Sequence, residues 1–132
     1  MSLNSWKQEF YQGRIKTAAK DPITATQHSL KKWKGLKAKN LEKHGLKPSY
    51  GNIVNPDTDR AFSIDAGSCA LCVSTKTRWD DGVVCSMCPI HQATGDKCDG
   101  GGSPYIMWIK NHDPKPMIQL LKRTLNYLKE KQ

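Results

Sequence analysis

The sequence predicts an α+β fold, mostly helical, in which helices at both ends flank a small, cysteine-stapled β-hairpin. Three observations predict it. Helix-start and helix-stop signals crowd residues 1–46. Near the C-terminus Met117, Leu121, Leu125 and Leu128 recur at helical spacing, supported by Ile118. Between them stand Cys69-x2-Cys72 and Cys85-x2-Cys88, with twelve residues separating the pairs and Cys98 following after nine intervening residues.

At the N-terminus, Ser5-Trp6-Lys7-Gln8 matches the S-x-x-Q capping box and predicts a helix start, with Trp6, Phe10 and Thr17 near one face and Gly13 interrupting it. Asp21-Pro22 is a second start, an N-cap acid followed by proline at the first helical position. From there Ile23, Leu30 and Trp33 share a face, and Gly35-Leu36 reads as a left-handed C-terminal residue followed by its apolar contact. A short helix from Ala38 to His44 repeats that ending at Gly45-Leu46. Residues 47–68 have loop composition, with a short strand expected over Ala61 to Ile64.

After Cys72, residues 73–78 are rich in β-branched side chains. Asp80-Asp81-Gly82 supplies a turn, and Val83-Val84 the return strand. The two cysteine pairs thus stand at the two feet of one predicted hairpin. Pro89 to Thr94 reads as a short helix after it. This succession resembles a treble-clef or zinc-ribbon arrangement over residues 69–98, and the resemblance implies a zinc-finger-like, structural metal site. Beyond it, Tyr105 to Ile109 reads as a helical turn or a buried strand. Asp113-Pro114 opens the final helix, expected over 113–130, with Lys122, Arg123, Asn126 and Lys129 facing outward.

A chain of 132 residues fits one domain, 1–132. Only 37% of it is hydrophobic, so a large continuous core is not expected. No apolar run approaches the roughly 18 residues of a membrane span. No signal-peptide pattern stands at residues 1–10. These features predict a cytoplasmic, reducing environment with no membrane partner. There five cysteines, an odd number, fit metal ligation better than a disulfide framework. Zinc tolerates a closed cage of four sulfurs and does no redox chemistry, so one structural Zn2+ held by Cys69, Cys72, Cys85 and Cys88 is the expected cofactor. Cys98 or His91 is an alternative ligand, and an iron–sulfur cluster is the weaker alternative metal group.

Net charge is +9, unevenly spread. Residues 1–50 carry eleven basic side chains against Glu9, Asp21 and Glu42, whereas residues 51–100 carry four against seven aspartates. Lys31, Lys32, Lys34, Lys37, Lys39, Lys43 and Lys47 fall within seventeen residues, opposed only by Glu42. Such a cluster binds phosphate by releasing counterions, which points to nucleic acid as a partner. Trp33 is either a base-stacking residue among these lysines or a core residue, and the helical phase favours the core. The scarcity of arginine argues against base-edge readout.

Trp79, beside Arg78 at the hairpin turn, suggests instead a protein-binding hot spot, so a small regulator or inhibitor of an acidic partner is the alternative reading. The four histidines, His28, His44, His91 and His112, are scattered. The predicted hairpin has none, so the base that a His-Asn-His nuclease needs is missing and a non-enzymatic role is favoured.

Overall fold

The computed structural model describes residues 2–64, 90 and 104–131. Over these residues the fold is α+β and mostly helical, with a three-stranded antiparallel sheet. Helix α1 spans Leu3–Phe10, α2 Ile15–Ala18, α3 Pro22–Lys34 and α4 Ala38–Lys43. Strands β1 Lys47–Ser49, β2 Asn52–Asn55 and β3 Arg60–Ser63 follow in the order β1-β2-β3. Helices α5 Pro104–Asn111 and α6 Lys115–Glu130 complete the described elements. The cysteine-bearing segment 69–98, with Cys69, Cys72, Cys85, Cys88, Cys98, Arg78, Trp79 and His91, lies outside the described residues, except that Ile90 is helical and buried.

The helix starts are built from short polar side chains. The capping box of α1 forms one turn earlier than expected, with Ser2 as the N-cap. Ser2 Oγ accepts from Ser5 N at 3.1 Å, and Ser5 Oγ accepts from Ser2 N at 2.9 Å. Ser5 is therefore the third helical residue and not the cap. Asp21 caps α3 as expected, its carboxylate accepting from Thr24 N at 2.9 Å. Asp113 acts one residue outside the N-cap position of α6, which Pro114 occupies, and its carboxylate accepts from Lys115 N at 3.1 Å. The segment 104–111, left between helix and strand by its sequence, is helical.

The two Gly-Leu pairs do different things. Gly45 has φ +69°; its N–H bonds Glu42 O at 3.1 Å, and Leu46 N bonds Leu41 O at 2.9 Å. This is the paired ending in which an αL glycine turns the chain, with the apolar residues at its two ends, Leu41 and Leu46, both buried. Gly35 does not repeat it, because its φ is −67°, ordinary right-handed helix. What requires glycine there is space. A Cβ at residue 35 would stand 2.5 Å from Phe10 Cγ. Trp6 closes the same approach, its indole N–H donating to Gly35 O at 2.9 Å.

The three strands occupy residues expected to be loop for the most part. β1 and β2 are joined by the two residues Tyr50 and Gly51, with φ +46° and +81°, and Ser49 pairs with Asn52 across them. Positive φ at both positions is the hairpin geometry usually given to Asn-Gly, because its twist matches that of the strands. A tyrosine there costs roughly 1–2 kcal/mol from its Cβ. The second connection, Asn55 to Arg60, is a four-residue loop tied down by Asn55, whose Oδ1 accepts from Asp57 N at 3.0 Å and whose carbonyl accepts from Asp59 N at 2.9 Å.

Two aromatic groups organise the core. Trp6 packs against Phe10 and Phe62, and Tyr11 meets Phe62 edge-on at 5.0 Å. Farther along, Trp33 meets Trp108 edge-on at 5.5 Å and Tyr105 at 6.3 Å. Helix α3 is the centre of the described fold, packing on α6 and touching α1 and α2. Its buried side is two rows wide. Thr26, Leu30 and Trp33 form one row at i, i+4 and i+7; Ala25, Ser29 and Lys32 form the other. Thr17, expected on the same face as Trp6, is exposed. On α6, Met117, Ile118 and Leu121 are buried as the stripe predicts, joined by Leu120 and Thr124, while Leu125 and Leu128 are half-buried.

Candidate nucleic-acid interface

The lysine-rich stretch resolves into surfaces with different fates. Lys31 and Lys34 are exposed at the last turn of α3; Lys37 is the exposed N-cap of α4, and Lys39 lies exposed on its first turn. Gly35 to Lys37 form the elbow between the helices. Its backbone is fixed by the Trp6 indole on Gly35 O and by the Asn40 side-chain amide on Lys34 O at 2.8 Å. Four ammonium groups therefore project from one short, pinned length of chain. Among the described residues no carboxylate forms an ion pair with any of these four. Their flexible stems remain free to follow a phosphate backbone.

Lys32 differs, contrary to its grouping with its neighbours on sequence alone. It is 1% exposed, in the inner row with Ala25 and Ser29, and its Nζ lies 5.8 Å from the Trp33 ring centroid. Trp33 is 3% exposed and locked against Trp108, so it offers no face to an unpaired base. Lys43 is exposed but engaged, its Nζ 3.1 Å from both carboxylate oxygens of Glu9. Lys47 is exposed at the start of β1. It shares a cleft of about 530 Å3 with Leu36 and Ala38 of the elbow region, Pro48 of β1 and His112. Arg78 and Trp79, the expected protein-binding pair, lie outside the described residues, as do all five cysteines.

A cluster with no local sequence signal joins α1 to the end of α4. His44, the C-cap of α4, donates from Nε2 to Glu9 Oε1 at 2.7 Å, and its Nδ1 lies 2.8 Å from Ser5 Oγ. The residues are 35 and 39 positions apart, which hides the arrangement from any pattern in the chain. Serine, histidine and carboxylate in line invite comparison with a nucleophile and its base. The Ser5 hydroxyl, however, is already occupied by its own helix. It accepts from Ser2 N and lies 2.8 Å from Ser2 O. A serine held this way serves the cap, and the cluster reads as a tie between α1 and α4.

The tie has an acid limit. The hydrogen bond from His44, and after it that from Lys43, holds the Glu9 carboxyl below the usual carboxylate value of 4.5. A carboxyl with a lowered folded-state pKa stabilises the protein above its unfolded value, and that contribution is lost as pH falls through the folded one. Thermal melting followed from about pH 5 downward should therefore show a shallower decline for Glu9→Gln than for the native chain. Equal slopes would remove Glu9 from the acid response.

His28 lies beside Tyr11 with ring centroids 4.7 Å apart, and His112 is exposed with φ +57° between α5 and α6. Among the described residues no group of three or more His, Cys, Asp or Glu side chains is placed to hold a metal ion, and no helix is long and apolar enough to cross a membrane. Comparison with protein-family models, curated proteins and solved structures gives no match to this chain.

Proposed function

We propose that this protein is a non-enzymatic, zinc-binding module that holds nucleic acid through the α3–α4 elbow. The observation that carries the reading is the presentation of Lys31, Lys34, Lys37 and Lys39 on a backbone fixed by Trp6 and Asn40, with no carboxylate paired to them among the described residues. Lysines used only for solubility need no such anchoring. Lysines that must meet successive phosphates gain from it, because less chain has to be ordered on binding. Lys47 extends the same surface across the cleft. Lys43 contributes less, since it must first leave Glu9.

The signature of such binding is a steep salt dependence, because each neutralised phosphate releases condensed cations. Fluorescence anisotropy of labelled DNA and RNA, titrated at several salt concentrations, reads it directly. No binding at low salt would end the nucleic-acid reading.

The zinc part of the proposal rests on the two Cys-x2-Cys pairs and their twelve-residue separation. Thiolates from two tight turns suit a tetrahedral ion, and a middle segment with little apolar content gains folding energy from it. Elemental analysis of the purified chain should find close to one zinc per molecule. Iron in its place, or no metal at all, would refute that part alone.

A further inference from the structure

The elbow supplies charge but no aromatic face, since Trp33 is turned inward. The tip of the β1–β2 hairpin supplies one. Tyr50 is 93% exposed, and it occupies a left-handed turn position where asparagine or glycine would sit without strain. Beneath it the turn is clamped. Gly51 O accepts from Ile64 N at 2.9 Å, and the Tyr105 hydroxyl donates to Ile64 O at 2.6 Å. A Cβ on Gly51 would stand 3.4 Å from Tyr105 Oη, so α5 backs the hairpin closely. The tyrosine is thus held out on a clamped turn and spends almost none of its area on the fold. Strand β1 links this tip to Lys47, three residues away at the cleft beside the elbow, a span of about 10 Å.

We infer that Tyr50 is a base-stacking residue and that the nucleic acid bound by this protein is single-stranded. A duplex keeps its bases stacked on one another and offers an isolated side chain no open face, whereas every unpaired base has one. Phosphates on the lysine elbow and a base on the Tyr50 ring make one continuous path along β1. The inference rests on the phosphate-binding reading of the elbow and adds to it the strandedness of the ligand.

The test compares the native chain with Tyr50→Asn and Tyr50→Phe in binding oligothymidylate, oligouridylate and a random duplex. Asparagine suits the turn, so Tyr50→Asn should melt no lower than the native chain, and a loss of affinity cannot then be assigned to unfolding. Tyr50→Asn should bind both single strands about 5- to 150-fold more weakly, the range for one lost stack, with an unchanged salt slope because no phosphate contact is removed. Tyr50→Phe should retain native affinity, and duplex binding should be weaker than single-strand binding and indifferent to residue 50. Loss on only oligothymidylate or only oligouridylate would assign the stack to DNA or to RNA. Unchanged single-strand affinity in Tyr50→Asn, with the salt-dependent binding intact, would overturn the stacking role while leaving the elbow reading in place. Equal losses on duplex and single strand would overturn the strandedness. If the native chain binds none of the three at low salt, the elbow reading falls and this inference falls with it.

Discussion

Trp6→Ala should cost about 3–5 kcal/mol, the loss expected when a buried tryptophan is truncated to alanine. Trp6 is fully buried and packs against Phe10 and Phe62, and its indole N–H satisfies Gly35 O. Three elements would lose a shared partner at once: α1, the elbow and β3. Small domains have only about 5–15 kcal/mol of net stability, so a loss of this size removes a large share of the total. Urea unfolding followed by far-UV circular dichroism measures it. Trp6→Phe separates the two contributions. It keeps most of the apolar contact but leaves Gly35 O without its donor, which should cost about 1–3 kcal/mol. A loss below about 1 kcal/mol for Trp6→Ala would mean that the indole does not hold this junction.

Replacing Lys31, Lys34, Lys37 and Lys39 together by alanine should flatten the salt dependence of nucleic-acid binding. For a single strand the slope of log affinity against log salt changes by about 0.7 for each phosphate contact, so four lysines account for about 3 units. Between 50 and 200 mM salt the native chain should lose about fifty-fold in affinity through these four contacts, and the variant should not. Lys32→Ala is the internal control. Its side chain is buried in the inner row of α3, so its substitution should disturb stability and leave the slope alone. If Lys32→Ala flattens the slope as much as substitution of an exposed lysine, the assignment of charges to the surface is wrong.

What was legible in the sequence was whatever a few neighbouring residues decide. Asp21-Pro22 specifies a helix start because cap and proline act within one turn, and Gly45-Leu46 specifies an end for the same reason. The stripe on α6 was legible because a buried helix face repeats. The inward turn of Trp33 followed from its phase with Leu30.

The burial of Lys32 did not follow from residue type, since lysine reads as surface. Its row, with Ala25 and Ser29, shows it only once α6 is known to pack on α3. The strand expected over Ala61 to Ile64 stands one residue earlier, at Arg60–Ser63, but β1 and β2 carry no such signal, because they are three or four residues long, contain Pro48, and bury few apolar side chains, chiefly Ile53. Short strands of that composition are held by pairing with one another, which is a tertiary fact. Gly35 shows the same limit. Its sequence neighbours suggest a helix stop, whereas its reason for being glycine is a phenylalanine ring 25 residues earlier in the chain.

That contact gives the opening residues a duty beyond their own helix. Phe10 and Trp6 brace the bend from which Lys37 projects, and the Glu9–His44 bond fastens the far end of the same unit. Energetic coupling runs both ways. On the proposed function, whatever shears the first ten residues away from Gly35, whether a protease cut or a bulky modification, would also slacken the grip on a bound strand, and a bound strand would in turn protect those residues from cleavage.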